Sequence, residues 1–215
     1  AYYRNDVRRR GTNHHVVLEL AWHVGGRRSC FRALDLDDWH PDDRVLAFRD
    51  REGTRLKRRE AHERNVIVSE PVAEIIDFWI ARERPQKRDE FGRKPLLTTS
   101  RGRASGGSIQ KWCYLATQPC LHQACPHNRE RHTCEYVDRS YASGCPSSRS
   151  PHQIRTGSIT WQLNNGLSYE EVAARVAAKP STIRRYYDKP DHDQELQRRL
   201  PETQDLDIET APDWT

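Results

Sequence analysis

The sequence predicts a mainly helical α+β fold with a small three-stranded antiparallel sheet. Two observations indicate this class. Apolar residues recur every three or four positions over several segments, which is the spacing of a buried helix face. Three short segments with strand-like composition, separated by turn residues, lie between the second and third predicted helices.

The first helix covers residues 14–24. It places Val17, Leu20 and Val24 on one face, and the glycine pair that follows is typical of a helix end. A short second helix covers residues 28–34. The predicted strands cover residues 44–48, 54–57 and 65–68.

The third helix begins at Ser69, which is a favoured helix-capping residue. Its apolar stripe consists of Val72, Ile75, Ile76, Trp79 and Ile80. Residues 85–95 form a charged linker and residues 101–107 a glycine-rich basic loop. Later helices begin at residues 108, 152, 168 and 180, and Ser168 with Glu171 forms a capping box for the third of these.

The charge of the chain is divided unevenly. Residues 188–215 carry nine acidic side chains against three basic ones, so the remainder has a net charge of +11. Such a basic body favours a polyanionic partner, although a solvated basic face is the alternative. We expect the acidic tail, residues 191–215, either to be disordered or to dock on a basic surface of the same or a neighbouring subunit.

The mean hydropathy is −0.98, and no stretch of apolar residues is long enough to span a bilayer. The chain does not open with a charged and then apolar leader. We therefore expect a cytoplasmic protein without a membrane segment or a secretory signal.

The sequence contains one HxxR motif at a predicted helix start. Because residues three apart share a helix face, the imidazole of His152 and the guanidinium of Arg155 can face one phosphate. Two tyrosines, Tyr186 and Tyr187, follow 31 and 32 residues after Arg155. A phenol, with a pKa of about 10, becomes nucleophilic when cations or a base favour its phenolate.

Two further basic residues follow breaks in the predicted helices and strands. Arg27 comes directly after the glycine pair that ends the first helix, and Lys57 lies on a predicted hairpin. Each of these features alone is more often structural than catalytic.

Four features follow one another along the sequence: an Arg after a glycine helix end, a hairpin Lys, an HxxR motif and a Tyr about 30 residues later. In this order they resemble the tyrosine recombinase, or phage integrase, family. The match covers most of residues 10–190, and residues 152–187 are its most specific part. Residues 32–38 and a cysteine-rich stretch are similar to an integrase branch common in archaea, whose members belong to mobile elements. The resemblance implies the tyrosine recombinase catalytic-domain fold over residues 1–190.

The resemblance also implies roles. Arg27 and Arg155 would clamp the scissile phosphate, and Lys57 would protonate the departing 5′-oxygen. His152 would assist proton transfer, and Tyr187 would be the nucleophile that forms a 3′-phosphotyrosyl link. No nucleotide and no catalytic metal is implied. The implied partner is double-stranded DNA, bound by a homotetramer. Further arginines expected to contact DNA are Arg28, Arg101, Arg103, Arg184 and Arg185.

The chain departs from the family pattern. Many members have a His where this sequence has Ala178, so activity does not follow from membership alone. Because the sequence contains no Met, even at position 1, we expect a fragment. The family's N-terminal helical domain has no counterpart here.

Residues 118–150 form a cysteine-rich insertion that cannot build a core alone. The cysteines are Cys120, Cys125, Cys134 and Cys145. Four thiolates suit a tetrahedral structural zinc site, which would stabilise the segment. Free buried thiols are the alternative, since disulfides are rare in the cytoplasm.

A helix-turn-helix transcription regulator without catalysis is the alternative function. Residues 167–187 contain a capped helix, a short break and an arginine-rich last helix that could enter the major groove. Arg184 and Arg185 would then read bases. This module accounts for only a small part of the chain. A topoisomerase of related chemistry is a third option.

Overall fold

The computed structural model describes residues 2–204, and within that range the fold is mainly helical, as predicted. The helices are α1 (Tyr2–Asn5), α2 (Asn13–Val24), α3 (Arg28–Ala33), α4 (Glu70–Phe78), α5 (Gly106–Ala116), α6 (Pro151–Asn164), α7 (Tyr169–Val176), α8 (Pro180–Tyr186) and α9 (His192–Gln204). The strands are β1 (Trp39–His40), β2 (Val45–Phe48), β3 (Arg64–Ile67), β4 (Thr98–Thr99) and β5 (Gly102–Arg103).

A three-stranded antiparallel sheet in the order β1-β2-β3 confirms the predicted sheet, but one strand is different. Residues 54–57, predicted as a strand, form a loop. The Leu56 amide donates to the Asp50 carboxylate at 2.7 Å, so a side chain replaces the ladder bond that a strand would need. Strand β1 instead pairs with β2 and forms the third strand of the sheet. Lys57 consequently lies in a turn between β2 and β3.

Helix α2 lies at the centre of the larger core, in contact with α4, α5 and α6. Its predicted apolar face is fully buried, and each such Leu or Val contributes about 1.5–3 kcal/mol relative to exposure. A smaller core joins α6, α7 and α8 through Ile159, Val172, Val176 and Ile183. Helix α6 contributes Ile154 to the larger core and Ile159 to the smaller one, so it connects the two cores.

The predicted linker over residues 85–95 is tied down by ion pairs. Asp89 accepts hydrogen bonds from Arg93 and Arg103. Although burial opposes it, these bonds lower the pKa of Asp89 to about 2. Arg103 also pairs with Asp35, and its side chain is only 6% exposed. The expectation that Arg103 contacts DNA does not fit this position, because the Arg103 guanidinium already binds two carboxylates and two backbone carbonyls.

Part of the predicted acidic tail is helical. Helix α9 lies against its own chain through Arg198, which forms an ion pair with Asp188 at 2.9 Å and a hydrogen bond to Asn164 at 2.6 Å. The tail residue in this contact, Arg198, is basic, whereas the prediction was that the acidic side chains of the tail would dock. Residues 205–215 lie outside the described residues. No helix among residues 2–204 combines the length and the apolar character needed to cross a bilayer.

We predict that Arg103 and Arg101 differ sharply in their effect on stability. Arg103→Met should lower the free energy of unfolding by about 3 kcal/mol, because it removes a shared cationic partner from Asp35 and Asp89, whose side chains are almost fully buried. Arg101 is exposed, so Arg101→Met should change it by less than about 0.5 kcal/mol. Urea unfolding measures both. Equal losses would contradict the structural role of Arg103.

Candidate active site

All five residues of the predicted catalytic set line one cleft of about 390 Å³. Its walls come from the start of α3, the loop between β2 and β3, helix α5, the start of α6 and the end of α8. The lining residues are Arg27, Arg28, Lys57, Gln110, Ser150, Pro151, His152, Arg155 and Tyr187. The fold therefore brings together side chains that are far apart in the sequence.

The start of α6 positions the HxxR motif. Ser150 caps the helix by accepting from the Gln153 amide, and the Gln153 side chain accepts from the Ser150 amide in return. Pro151 occupies the first turn, where its missing N–H costs nothing. These local signals fix where the helix begins. They place His152 on its first turn and Arg155 at the start of its second.

Arg155 is buried, with 2% of its surface exposed. Its Nη1 donates to the carbonyl of Gly25 at 2.6 Å and to that of Val176 at 3.0 Å. Both carbonyls lie at helix C-terminal ends, which carry partial negative charge. Nε and Nη2 are also buried but have no hydrogen-bond partner in the described chain. Neither nitrogen donates a hydrogen bond of standard geometry to residues 2–204, so a ligand oxygen or the neighbouring Tyr187 hydroxyl can accept from them.

Burial and the nearby Arg27 lower the pKa of Arg155, and Tyr187 partly opposes them. An arginine keeps its charge under such a shift because its pKa starts above 12. The buried group thus remains a cation.

Arg27 is held by the end of α7. Helix α2 ends at Gly25 with φ of 64°, and a Cβ there would lie 2.8 Å from the Ser158 hydroxyl, so the position requires glycine. The chain then turns, and Arg27 Nη1 donates to the Ala177 carbonyl at 2.8 Å. Ala177 is the left-handed cap of α7, with φ of 51°.

Neither arginine has a carboxylate partner among residues 2–204. Arg27 and Arg155 bond to backbone carbonyls, whereas Arg51, Arg93 and Arg103 pair with aspartates. The charge of the cleft arginines is consequently not neutralised. Such a site favours an anion.

The two adjacent tyrosines lie in different surroundings. The ring of Tyr187 lies 5.1 Å from Arg155 Cζ and 5.7 Å from the His152 ring. Its backbone carbonyl accepts from the Thr160 hydroxyl at 3.0 Å, which fixes the end of α8 against α6. Tyr186 points away and is 58% exposed. Only Tyr187 lines the cleft.

Comparisons with known proteins identify the fold. No family model and no curated protein matches the chain. Among solved structures, XerA recombinase matches with a TM-score of 0.62 and 13% identity, covering 88% of this chain and 56% of that one. The Tn1549 transposon integrase in complex with a circular intermediate DNA matches with a TM-score of 0.63 and 14% identity. The chain has the tyrosine recombinase catalytic-domain fold.

The integrase match covers 95% of this chain and 62% of the integrase chain. A variant of the same integrase with transposon right end DNA gives a TM-score of 0.61 at 14% identity, covering 93% and 61%. The chain thus spans less than two thirds of the length of each. Similarity at this level of identity establishes the recombinase fold and leaves the residue roles to the geometry of this chain.

The five arginines expected to contact DNA occupy different positions in the recombinase fold. Arg28 is exposed and lines the cleft. Arg184 and Arg185 are exposed on α8, outside the cleft lining. Arg101 is exposed at the β4–β5 turn, and the Arg103 side chain, only 6% exposed, belongs to the ion-pair network. The structure therefore brings only Arg28 to the catalytic set.

The four cysteines of residues 118–150 do not converge. In residues 2–204, no three His, Cys, Asp or Glu side chains lie close enough to hold a metal ion. Cys120 Sγ accepts from Arg131 at 2.9 Å. All six cysteines of the chain are free thiols. As arranged here, the four thiols do not fit a tetrahedral zinc site, and zinc binding stays a prediction.

Sequence analysis missed Gln110 and His62. Gln110 projects from α5 into the cleft and accepts a hydrogen bond from Arg28. His62 lies near Lys57 in a run of charged residues and belongs to no motif. Gln110 reaches the cleft from α5, whereas His62 lines an adjoining cavity with Arg27 and Lys57, and no pattern along the sequence marks either residue.

We predict that Ala177→Gly stabilises the protein. A left-handed residue with a Cβ costs about 1–2 kcal/mol, part of which glycine loses again through unfolded-state entropy, so we expect a net gain of about 0.5 kcal/mol. The matched control is Ala174→Gly in the interior of α7, which should cost about 1 kcal/mol. Thermal unfolding distinguishes them. A loss of stability in both variants would contradict the left-handed cap.

Proposed function

We propose that the chain is the catalytic domain of a site-specific DNA recombinase that cleaves and rejoins strands through a 3′-phosphotyrosyl intermediate. The observation that carries the proposal is Arg155. It is a buried cation that has no carboxylate partner within residues 2–204, two of its nitrogens form no hydrogen bond there, and it lies beside the ring of Tyr187. A phosphate oxygen would satisfy those donors. The similar Tn1549 integrase structures contain DNA, which supports duplex DNA as the partner.

The proposed reaction is a transesterification. The Tyr187 hydroxyl oxygen attacks phosphorus, a tyrosyl O–P bond forms, and the P–O5′ bond breaks. His152, whose ring faces Tyr187, takes the phenolic proton. Lys57 gives a proton to the leaving 5′-oxygen. The 5′-hydroxyl of a new strand reverses these steps, so no external energy source is needed.

The two arginines would stabilise the pentavalent phosphorus. Negative charge builds on its non-bridging oxygens, and donors already fixed in place need not reorganise to meet it. The carbonyls that hold Arg27 and Arg155 provide this fixed placement. Four copies acting together on two DNA duplexes are the proposed assembly. Binding of DNA without any covalent product would favour the helix-turn-helix alternative.

We predict that Tyr187 forms the covalent link. With nicked suicide duplexes of randomised sequence, the protein should give an adduct that survives SDS. Tyr187→Phe should abolish it because the attacking oxygen is absent. Tyr186→Phe is the matched control and should keep the wild-type yield, since that ring lies in solvent. Loss with Tyr186→Phe and retention with Tyr187→Phe would move the nucleophile by one residue.

We also predict that Arg27→Ala and Arg155→Ala slow adduct formation more than they weaken binding. Loss of one preorganised donor should cost about 10²–10³ in rate, with affinity falling by less than about tenfold. Arg155→Lys serves as the second variant, because it keeps the buried charge if truncation unfolds the chain. Single-turnover kinetics and DNA binding are the measurements. Proportional losses in rate and affinity would contradict a transition-state role.

A further inference from the structure

A second cavity of about 570 Å³ adjoins the cleft and shares Arg27 and Lys57 with it. The proposed reaction uses none of its other residues. His62 lines this cavity at the end of the 3₁₀ turn Arg59–His62, which joins the Lys57 turn to β3. An imidazole therefore lies close to the two basic groups assigned to the phosphate.

The surroundings of His62 contain many cations and little to pair with it. Its Nδ1 is buried and has no hydrogen-bond partner within the described residues. The charged side chains that line the cavity with it are Arg27, Lys57, Arg58, Glu63, Arg64 and Lys179. Glu63 is already engaged, because its carboxylate accepts from the Asp50 amide at 2.8 Å.

The cations also set the protonation state of the ring. Burial makes the largest contribution to lowering the pKa of His62. The charges of four basic neighbours lower it further: Arg27, Arg58, Arg64 and Lys57. In the DNA-free protein the ring is consequently neutral near pH 7, and within residues 2–204 no ion pair joins it to a carboxylate. A phosphodiester in this cavity would supply an anionic acceptor and offset the neighbouring charges.

We propose that His62 is a further DNA ligand of the active site: its imidazole binds a phosphodiester oxygen beside Arg27 and takes up one proton from solution as DNA enters. This inference rests on the proposed function only in taking DNA as the ligand. Since the bound state holds more protons than the free state, affinity rises as the pH falls through the range in which His62 titrates.

The test uses Tyr187→Phe protein, so that no covalent step contributes. Calorimetry with duplex DNA of randomised sequence, in buffers of different ionisation enthalpy, measures the protons taken up per complex. Near pH 7 we expect a net uptake of protons, with an upper limit of about one per complex from His62. Adding His62→Gln should remove most of it, because the amide cannot titrate. Adding His40→Gln, an exposed histidine on β1, should leave it unchanged.

Two controls keep the result decisive. His152→Gln measures the share of the other cleft histidine, and the NMR signals of the His62 ring report its protonation without any substitution there. Unchanged uptake in the His62→Gln background, a His62 ring that stays neutral in the complex, or no DNA binding would overturn the proposal. Absence of the covalent adduct in the unmodified protein would instead overturn the proposed recombinase reaction and leave this inference standing.

Discussion

The cleft depends on how two guanidinium groups are held. Arg27 and Arg155 bond to peptide carbonyls at the C-terminal ends of α2 and α7. These carbonyls carry only partial charge, so they orient the arginines and offset part of the desolvation cost without neutralising them. A carboxylate in the same place would stabilise the cations and also compete with a phosphate.

The contrast with the β4–β5 region makes the distinction clear. There Asp35 and Asp89 bind Arg103, and the result is a closed ion-pair network that ties the segment over residues 85–95 to the body of the fold. Arginine thus stabilises the fold where its partners are carboxylates, and it stays available to a ligand where its partners are backbone carbonyls. In the cleft, two nitrogens of Arg155 form no hydrogen bond within residues 2–204. In the network, Arg103 uses its donors on carboxylates and on backbone carbonyls.

Backbone geometry at helix ends links folding to the site. Gly25 ends α2 in the left-handed region, and Ala177 does the same for α7. Each cap turns its chain so that a carbonyl faces the cleft. The small core of α6, α7 and α8 therefore sets the placement of the arginines as well as that of Tyr187. A change that loosens this core should disturb the site before it unfolds the larger core.

Local signals in the sequence predict much of this arrangement. The glycine pair after α2 and the capping box of α7 predict helix ends that the structure confirms, because each depends on a few neighbouring residues. The prediction of a strand over residues 54–57 was wrong. The Asp50 side chain accepts the Leu56 backbone hydrogen bond that a neighbouring strand would otherwise accept. The ion pairs of Arg103 and the position of His62 depend on contacts across the fold. No pattern along the sequence predicts these contacts.

The resonances of arginine Nε–H groups provide the most direct measurement. The Nε–H of Arg155 has no partner in the described part of the chain, so DNA binding should shift its signal strongly and slow its exchange with water. The Nε–H of Arg103, already bonded to Asp89 at 3.0 Å, should not move. A DNA complex in which the Arg155 signal stays unchanged would contradict the binding of a phosphate by the carbonyl-held arginines.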